Sequence, residues 1–144
     1  MYGYGSMTHQ ITHLRPDETP AAIALWQAAG LVQLWNDPGA DIAAALDCPT
    51  ATILAAHDEA GALTGTVMAG YDGHRGWLYY VASDPARRGQ GIGAALMKAA
   101  EEWLAEQGAR VIRLMVRAEN EHVAAFYDAL GYERGDFLVF GKRL

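Results

Sequence analysis

The sequence predicts a single α/β domain in which a mixed sheet carries helices on both faces. Three observations lead there. Strand-like runs and helix-like periodicities follow one another in the order β-α-α-β-β-β-α-β-α-β. The three central strand candidates are joined by hairpin-grade turns, Asp58-Glu59-Ala60-Gly61 and Tyr71-Asp72-Gly73-His74. At 144 residues the chain is long enough for one substantial core.

Gln10 to Leu14 alternates well enough for a short first strand. Arg15-Pro16-Asp17-Glu18-Thr19-Pro20 reads as a helix start, with Thr19 or Asp17 as cap and Pro20 in the first helical position, where its missing N–H is harmless. That helix buries Ile23, Leu25, Trp26 and Leu31, and Gly30 marks its end. Trp35-Asn36-Asp37-Pro38 forms a turn before a second helix over Ile42 to Leu46, halted by Pro49. Strands follow at Ala51 to Ala56, Leu63 to Ala69 and Gly76 to Ala82. The long helix recurs through Ile92, Leu96, Ala99, Ala100, Trp103 and Leu104 and stops at Gly108. Val111 to Val116 is the next strand, and Asn120 opens a helix bearing Val123, Phe126, Tyr127 and Leu130, closed by Gly131. Phe137 to Phe140 completes the order as a last strand.

Composition narrows the function classes. An apolar content of 51% with 19% charged residues fits an ordinary globular protein. The net charge of −6 argues against nucleic acid as a main partner and leans mildly toward a cationic or amine-bearing substrate. A lone Cys48 excludes an internal disulfide, and the five histidines lack metal-ligand spacing, so no metal is expected. No apolar run approaches a membrane span, and the N-terminus lacks the basic and apolar regions of a signal peptide, so the expected setting is cytoplasmic. Residues 1–9 are read as an N-terminal extension. Met1 to Ser6 precedes a second methionine, Met7, and is either a tag remnant or natural; the folded domain spans 10–144.

The most informative segment is Arg88-Gly89-Gln90-Gly91-Ile92-Gly93-Ala94. It joins the strand ending at Ala82 to the long amphipathic helix. Alternating glycines at such a junction let several N–H groups converge, and the helix N-terminus adds partial positive charge, so the loop suits a phosphate. A P-loop would need Lys and Ser or Thr after its last glycine, and Ala94-Ala95 stand there. A dinucleotide fingerprint would need a G-x-G-x-x-G spacing and an acidic residue ending the next strand, which instead ends in Arg117. Glycines serving only a tight turn are the plainer alternative.

Read as R-x-x-G-x-G/A at Arg88, Gly91 and Gly93, the loop and its position in the element order resemble the GCN5-related N-acetyltransferase (GNAT) superfamily. A second block agrees. Asn120, then Ala125-Phe126-Tyr127-Asp128-Ala129-Leu130-Gly131-Tyr132, is similar to the family's N-x-x-A-x-x-x-Y-x-x-x-G-F/Y pattern. The resemblance covers nearly everything from Gln10 to Leu144. Trp35-Asn36-Asp37-Pro38, the stretch Gly70 to Trp77 and the terminal Gly141-Lys142-Arg143-Leu144 resemble the bacterial YpeA-like subgroup, which has no substrate to carry over. The implied fold is a twisted, mostly antiparallel sheet splayed after its fourth strand.

The resemblance implies acetyl-CoA as cosubstrate and an N-acetyltransferase acting on a primary amine, of a small molecule or of a protein N-terminus or lysine, by direct transfer. Val81, Ala82 and Ser83 would pair with the pantetheine arm as with an added strand. The N–H groups of Gly89, Gln90, Gly91, Ile92, Gly93 and Ala94 would cradle the diphosphate, with Arg88 at its edge, and large side chains at 91 or 93 would block it. Asn120 would contact the cofactor near its thiol end, or simply cap its helix. A strand N–H, that of Val81, would polarise the thioester carbonyl. Tyr127 is the implied general acid; a core role is its alternative.

Relatives that acetylate ribosomal-protein N-termini carry a glutamate base where this chain has Met115, so that base and substrate do not transfer. Glu119, Glu121, Asp72, Asp37 or a water on backbone carbonyls are the substitutes weighed. Trp35, Asn36, Asp37, Asp72, His74 and Trp77 form a collective candidate lining for the acceptor. Cys48 stands far in sequence from both motifs, which argues against a covalent enzyme intermediate. A non-catalytic coenzyme A sensor is the alternative function. Homodimers are frequent in the superfamily, but no contact surface is legible.

Overall fold

The structure, a computed structural model, describes residues 9–144; most of the expected N-terminal extension lies outside the described residues. Five strands form one sheet in sequence order: β1 (Gln10–His13), β2 (Ala51–His57), β3 (Leu63–Tyr71), β4 (Gly76–Ser83) and β5 (Ile112–Leu114). The first four pair antiparallel, β1 with β2 across the two helices between them and β2, β3 and β4 through short turns. β5 returns parallel to β4, which requires the long crossover helix between them. Helices α1 (Thr19–Ala28) and α2 (Pro38–Asp47) cover one face, while α3 (Ile92–Gln107) and α4 (Glu121–Ala129) cover the other.

The side-chain period of two explains how one sheet serves two cores. Along β2, Ile53 and Ala55 pack toward α1 and α2, whereas Leu54 and Ala56 pack toward α3. β2 is therefore buried on both faces. Close approach of α3 depends on Gly65, where an added Cβ would sit 2.7 Å from Ile92 Cγ2 and Leu96 Cδ1. On the opposite face Trp26 is fully buried, and its indole N–H donates to Thr66 Oγ1 at 2.8 Å, so the polar edge is satisfied.

Element boundaries differ from expectation where local chemistry intervenes. At the start of α1, Asp17 pairs with Arg15 and the Thr19 hydroxyl donates to the Pro16 carbonyl, so neither caps; a 3-10 turn over Pro16–Glu18 leads in instead. Leu31 lies beyond the helix end and is half-buried. α2 begins earlier than its apolar residues suggest, because Asp37 caps it by accepting from Ala40 N at 3.1 Å and Pro38 fills the first turn.

The expected last strand is not formed. Residues 133–144 adopt no regular structure, and Phe137, Leu138, Val139 and Phe140 are 69–89% exposed. One contact ties the segment to β5: the Arg113 guanidinium lies 4.6 Å from the Phe137 ring centroid. β5 is correspondingly shorter than the expected Val111 to Val116.

Candidate active site

β4 pairs with β5 only from Gly76 to Leu78. Tyr79 to Ser83 run on without a β5 partner, so the sheet opens after β4 and presents strand edge to the gap. A β-bulge marks the opening: the β3–β4 register shifts between Thr66 and Met68, and Tyr80 takes a left-handed φ of 49°. Residue parity confirms the extra residue. Leu78 and Val81, an odd number apart, both face the α3 side, and Tyr80 and Ala82 face the α1–α2 side.

The glycine loop follows directly. Gly89 and Gly91 adopt φ of 82° and 74°, left-handed values that glycine takes without strain. An added Cβ at either would meet nothing within 4 Å, so the space above the loop is open. Gly91 is also the N-cap of α3, and the whole stretch Arg88 to Gly91 is exposed. The positive end of a 16-residue helix, with the orphan N–H groups of its first turn, therefore adjoins an exposed loop. Gly93, expected in the diphosphate cradle, also has a packing role. An added Cβ there would lie 3.2 Å from Phe126 Cζ, so this glycine lets α4 approach α3.

The loop has a support that the sequence did not reveal. His9, read as part of the extension, is buried, and its Nε2–H donates to the Gln90 carbonyl. The nitrogen must carry the proton there, since a carbonyl only accepts. The residue before β1 thus braces the middle of the loop across 81 positions of sequence.

α4 brings the second motif to the same side. Asn120 is its N-cap, accepting from Val123 N at 3.4 Å, which leaves its amide N–H groups uncommitted to that cap. Tyr127 is 9% exposed and packs edge-on against Phe126 and Tyr132, with ring centroids at 5.0 and 6.0 Å. Burial holds its phenol above the ordinary tyrosine value, so it stays protonated through the neutral range. Among the described residues its hydroxyl has no hydrogen-bond partner.

The collective acceptor lining splits in two. Asp72, His74 and Trp77 lie in or beside the β3–β4 turn, at the opposite end of β4 from the glycine loop, roughly 25 Å away at the usual strand rise. Asp72 there accepts from the N–H groups of His74 and Arg75, which hold its carboxyl below the usual range. Trp35, Asn36 and Asp37 instead precede α2, whose Asp41 accepts from the Tyr80 hydroxyl at 2.6 Å, beside the bulge. Trp35 is 60% exposed.

The carboxylates weighed as a base fare unequally. Glu121 is in a 2.7 Å ion pair with Arg134, which lowers its basicity, and Asp37 is committed as a cap. Glu119 is exposed, as is Met115 just past β5. Among the described residues no cluster of His, Cys, Asp and Glu fit for a metal occurs, and no helix is long and apolar enough to cross a membrane.

This arrangement has known counterparts. The family model of the acetyltransferase (GNAT) family matches residues 9–132. Acetyltransferase ECA0875 of Pectobacterium atrosepticum is 42% identical over 135 residues, covering 94% of this chain and 95% of its own length. Among solved structures, aminoglycoside N-acetyltransferase AAC(6')-Iy in complex with CoA superposes with a TM-score of 0.80 at 18% identity, over 94% of each chain. The ribosomal-protein-S18-alanine N-acetyltransferase of Escherichia coli has a TM-score of 0.76 at 24% identity, over 88% of this chain and 79% of its own. The last two similarities speak to fold alone. With the family model spanning most of the sequence and a curated relative matched nearly end to end, the chain belongs to the GNAT family of acetyltransferases.

Proposed function

We propose that the protein transfers the acetyl group of acetyl-CoA directly to a primary amine. The observation that carries this reading is the loop at the start of α3, where Gly89 and Gly91 hold left-handed backbone under open space. That cradle fits a diphosphate, and the open edge of β4 beyond Leu78 fits an extended amide-bearing arm lying beside a strand. A fold relative solved with CoA supports the same choice of cosubstrate.

When bound, the cosubstrate supplies an activated acyl group and a thiolate leaving group. The chain's residues supply the rest. Gly89 to Ala94 and Arg88 hold the diphosphate, and Val81 to Ser83 align the arm. A backbone N–H at the bulge polarises the carbonyl, and Asn120 contacts the arm near its thiol end. Tyr127, kept neutral by burial, donates its proton to the departing sulfur, and the proton the amine loses as its amide bond forms passes to solvent water, from which the phenol is reprotonated. The acceptor enters from the α1–α2 loop side, where Trp35, Asn36 and Asp37 precede α2.

Calorimetry with acetyl-CoA, followed by thiol release over a panel of amines, peptides and polyamines, tests the reading. Binding near the glycine loop, release with at least one amine class and loss of release in Tyr127→Phe are expected. No heat with acetyl-CoA overturns the function; undiminished release in Tyr127→Phe removes that residue from its role.

A further inference from the structure

The backbone at the mouth of the opened sheet is held by a closed set of side-chain contacts. Tyr80 is the single non-glycine residue with left-handed φ among the described residues, at 49°. Such a conformation in a bulky residue persists only where its surroundings over-determine it. The surroundings do so at each of its polar handles. Its ring stacks on Trp26 with centroids 3.7 Å apart and planes within 5°. Its hydroxyl donates to Asp41 Oδ2 at 2.6 Å. Its carbonyl accepts from the Thr66 hydroxyl at 3.0 Å, and Thr66 Oγ1 in turn accepts from Trp26 Nε1 at 2.8 Å.

The anchors lie on three separate elements: Trp26 on α1, Asp41 on α2 and Thr66 on β3. Asp41 occupies the first turn of α2, where the helix dipole favours its negative charge, and α2 is itself pinned by Asp37. The clamped residue comes two positions after Leu78, the last residue of β4 paired with β5. Core filling alone would need the ring contact but not the charged hydrogen bond at the end of the ring.

We infer that Tyr80 and Asp41, backed by Trp26, are positioning residues that hold the β4 bulge in its left-handed turn and so aim its backbone N–H for acyl transfer. The inference rests on the acetyl-transfer reading above and adds the side chains that set its geometry. Tyr80→Phe removes one hydrogen bond while keeping the stack. Asp41→Leu removes the same bond from the other partner, and Asp41→Asn keeps an oxygen acceptor for the hydroxyl.

The test measures kcat, KM and CoA affinity for wild type and the three variants, with urea midpoints and amide exchange over residues 79–82. For Tyr80→Phe and Asp41→Leu, kcat is expected to fall about tenfold or more, since a shift in attack geometry acts on the transition state. CoA affinity falls by a smaller factor than kcat, because the glycine loop is untouched while the arm-pairing strand loosens, and exchange over 79–82 rises ahead of the rest of β4. Asp41→Asn recovers most of the loss. No CoA binding and no thiol release in wild type overturn the underlying function and this inference together. Wild-type turnover with undiminished kcat in both variants overturns the inference alone, as does a lowered midpoint with unchanged kcat. Unchanged exchange over 79–82 in both variants overturns it independently of any substrate.

Discussion

Gly91→Ala isolates what the loop backbone contributes. An alanine Cβ at this position meets nothing within 4 Å, so no steric clash inside the protein accompanies the change. What remains is conformational: φ is 74° and ψ 18°, and an L-residue held there is disfavoured by about 1–2 kcal/mol. That energy must appear somewhere. If the loop keeps its shape without ligand, folding stability falls by that amount and CoA affinity is unchanged. If the loop relaxes without ligand, stability is spared and binding must restore the turn, which weakens affinity by roughly 5- to 30-fold. Urea denaturation and calorimetry with CoA, run on the same preparation, therefore give two losses that add to about 1–2 kcal/mol. Gly91→Asn, whose backbone tolerates the left-handed region, should show a smaller loss in urea denaturation than Gly91→Ala. Wild-type values in both assays for Gly91→Ala would refute the argument that glycine is required there for its backbone.

Other outcomes follow from the same contacts. Gly65→Ala places a methyl 2.7 Å from two α3 side chains and 2.9 Å from the Ala82 carbonyl, so the urea midpoint should drop by the equivalent of about 1–3 kcal/mol. Glu18 is pushed up by burial, but the His57 and Arg15 hydrogen bonds and charges outweigh this and hold it below its ordinary value of 4.5. A lowered carboxyl contributes stability above its unfolded value and loses it as pH falls through the folded one. The urea midpoint should therefore decline below about pH 4.5, and less steeply in Glu18→Gln. Glu121→Gln should leave thiol release within about twofold of wild type, since its exposed carboxylate is already paired with Arg134.

Much of the architecture was legible because its periodicities are strong. β2, β3, β4, α3 and α4 stand where the apolar spacing put them. α2 was read too short because its alanines, Ala40 and Ala43 to Ala45, blur the contrast between faces; the cap at Asp37 and Pro38 was the better signal. The run Phe137 to Phe140 has strand composition, but composition does not supply a pairing partner, and among the described residues it pairs with no strand. Within the site, the glycine pattern exposed the loop while hiding that Gly93 serves Phe126. The structure puts Asp72, His74 and Trp77 at one end of β4 and Trp35 to Asp37 before α2. Nearness of all six to β4 does not say which end of the strand each one reaches. His9 and the Tyr80 bulge had no local signature: one bonds 81 positions away, and the other interrupts a run that reads as unbroken strand.

The seam between β4 and β5 has a further consequence for how the molecule comes apart. Three residue pairs join these strands, against four for β1 with β2, seven for β2 with β3 and six for β3 with β4. Thermal fluctuations should accordingly breach the sheet there first. Limited proteolysis would then nick the chain beyond α3 while the β1–β4 block stays intact, and a tightly held ligand bridging the gap would delay the first cut.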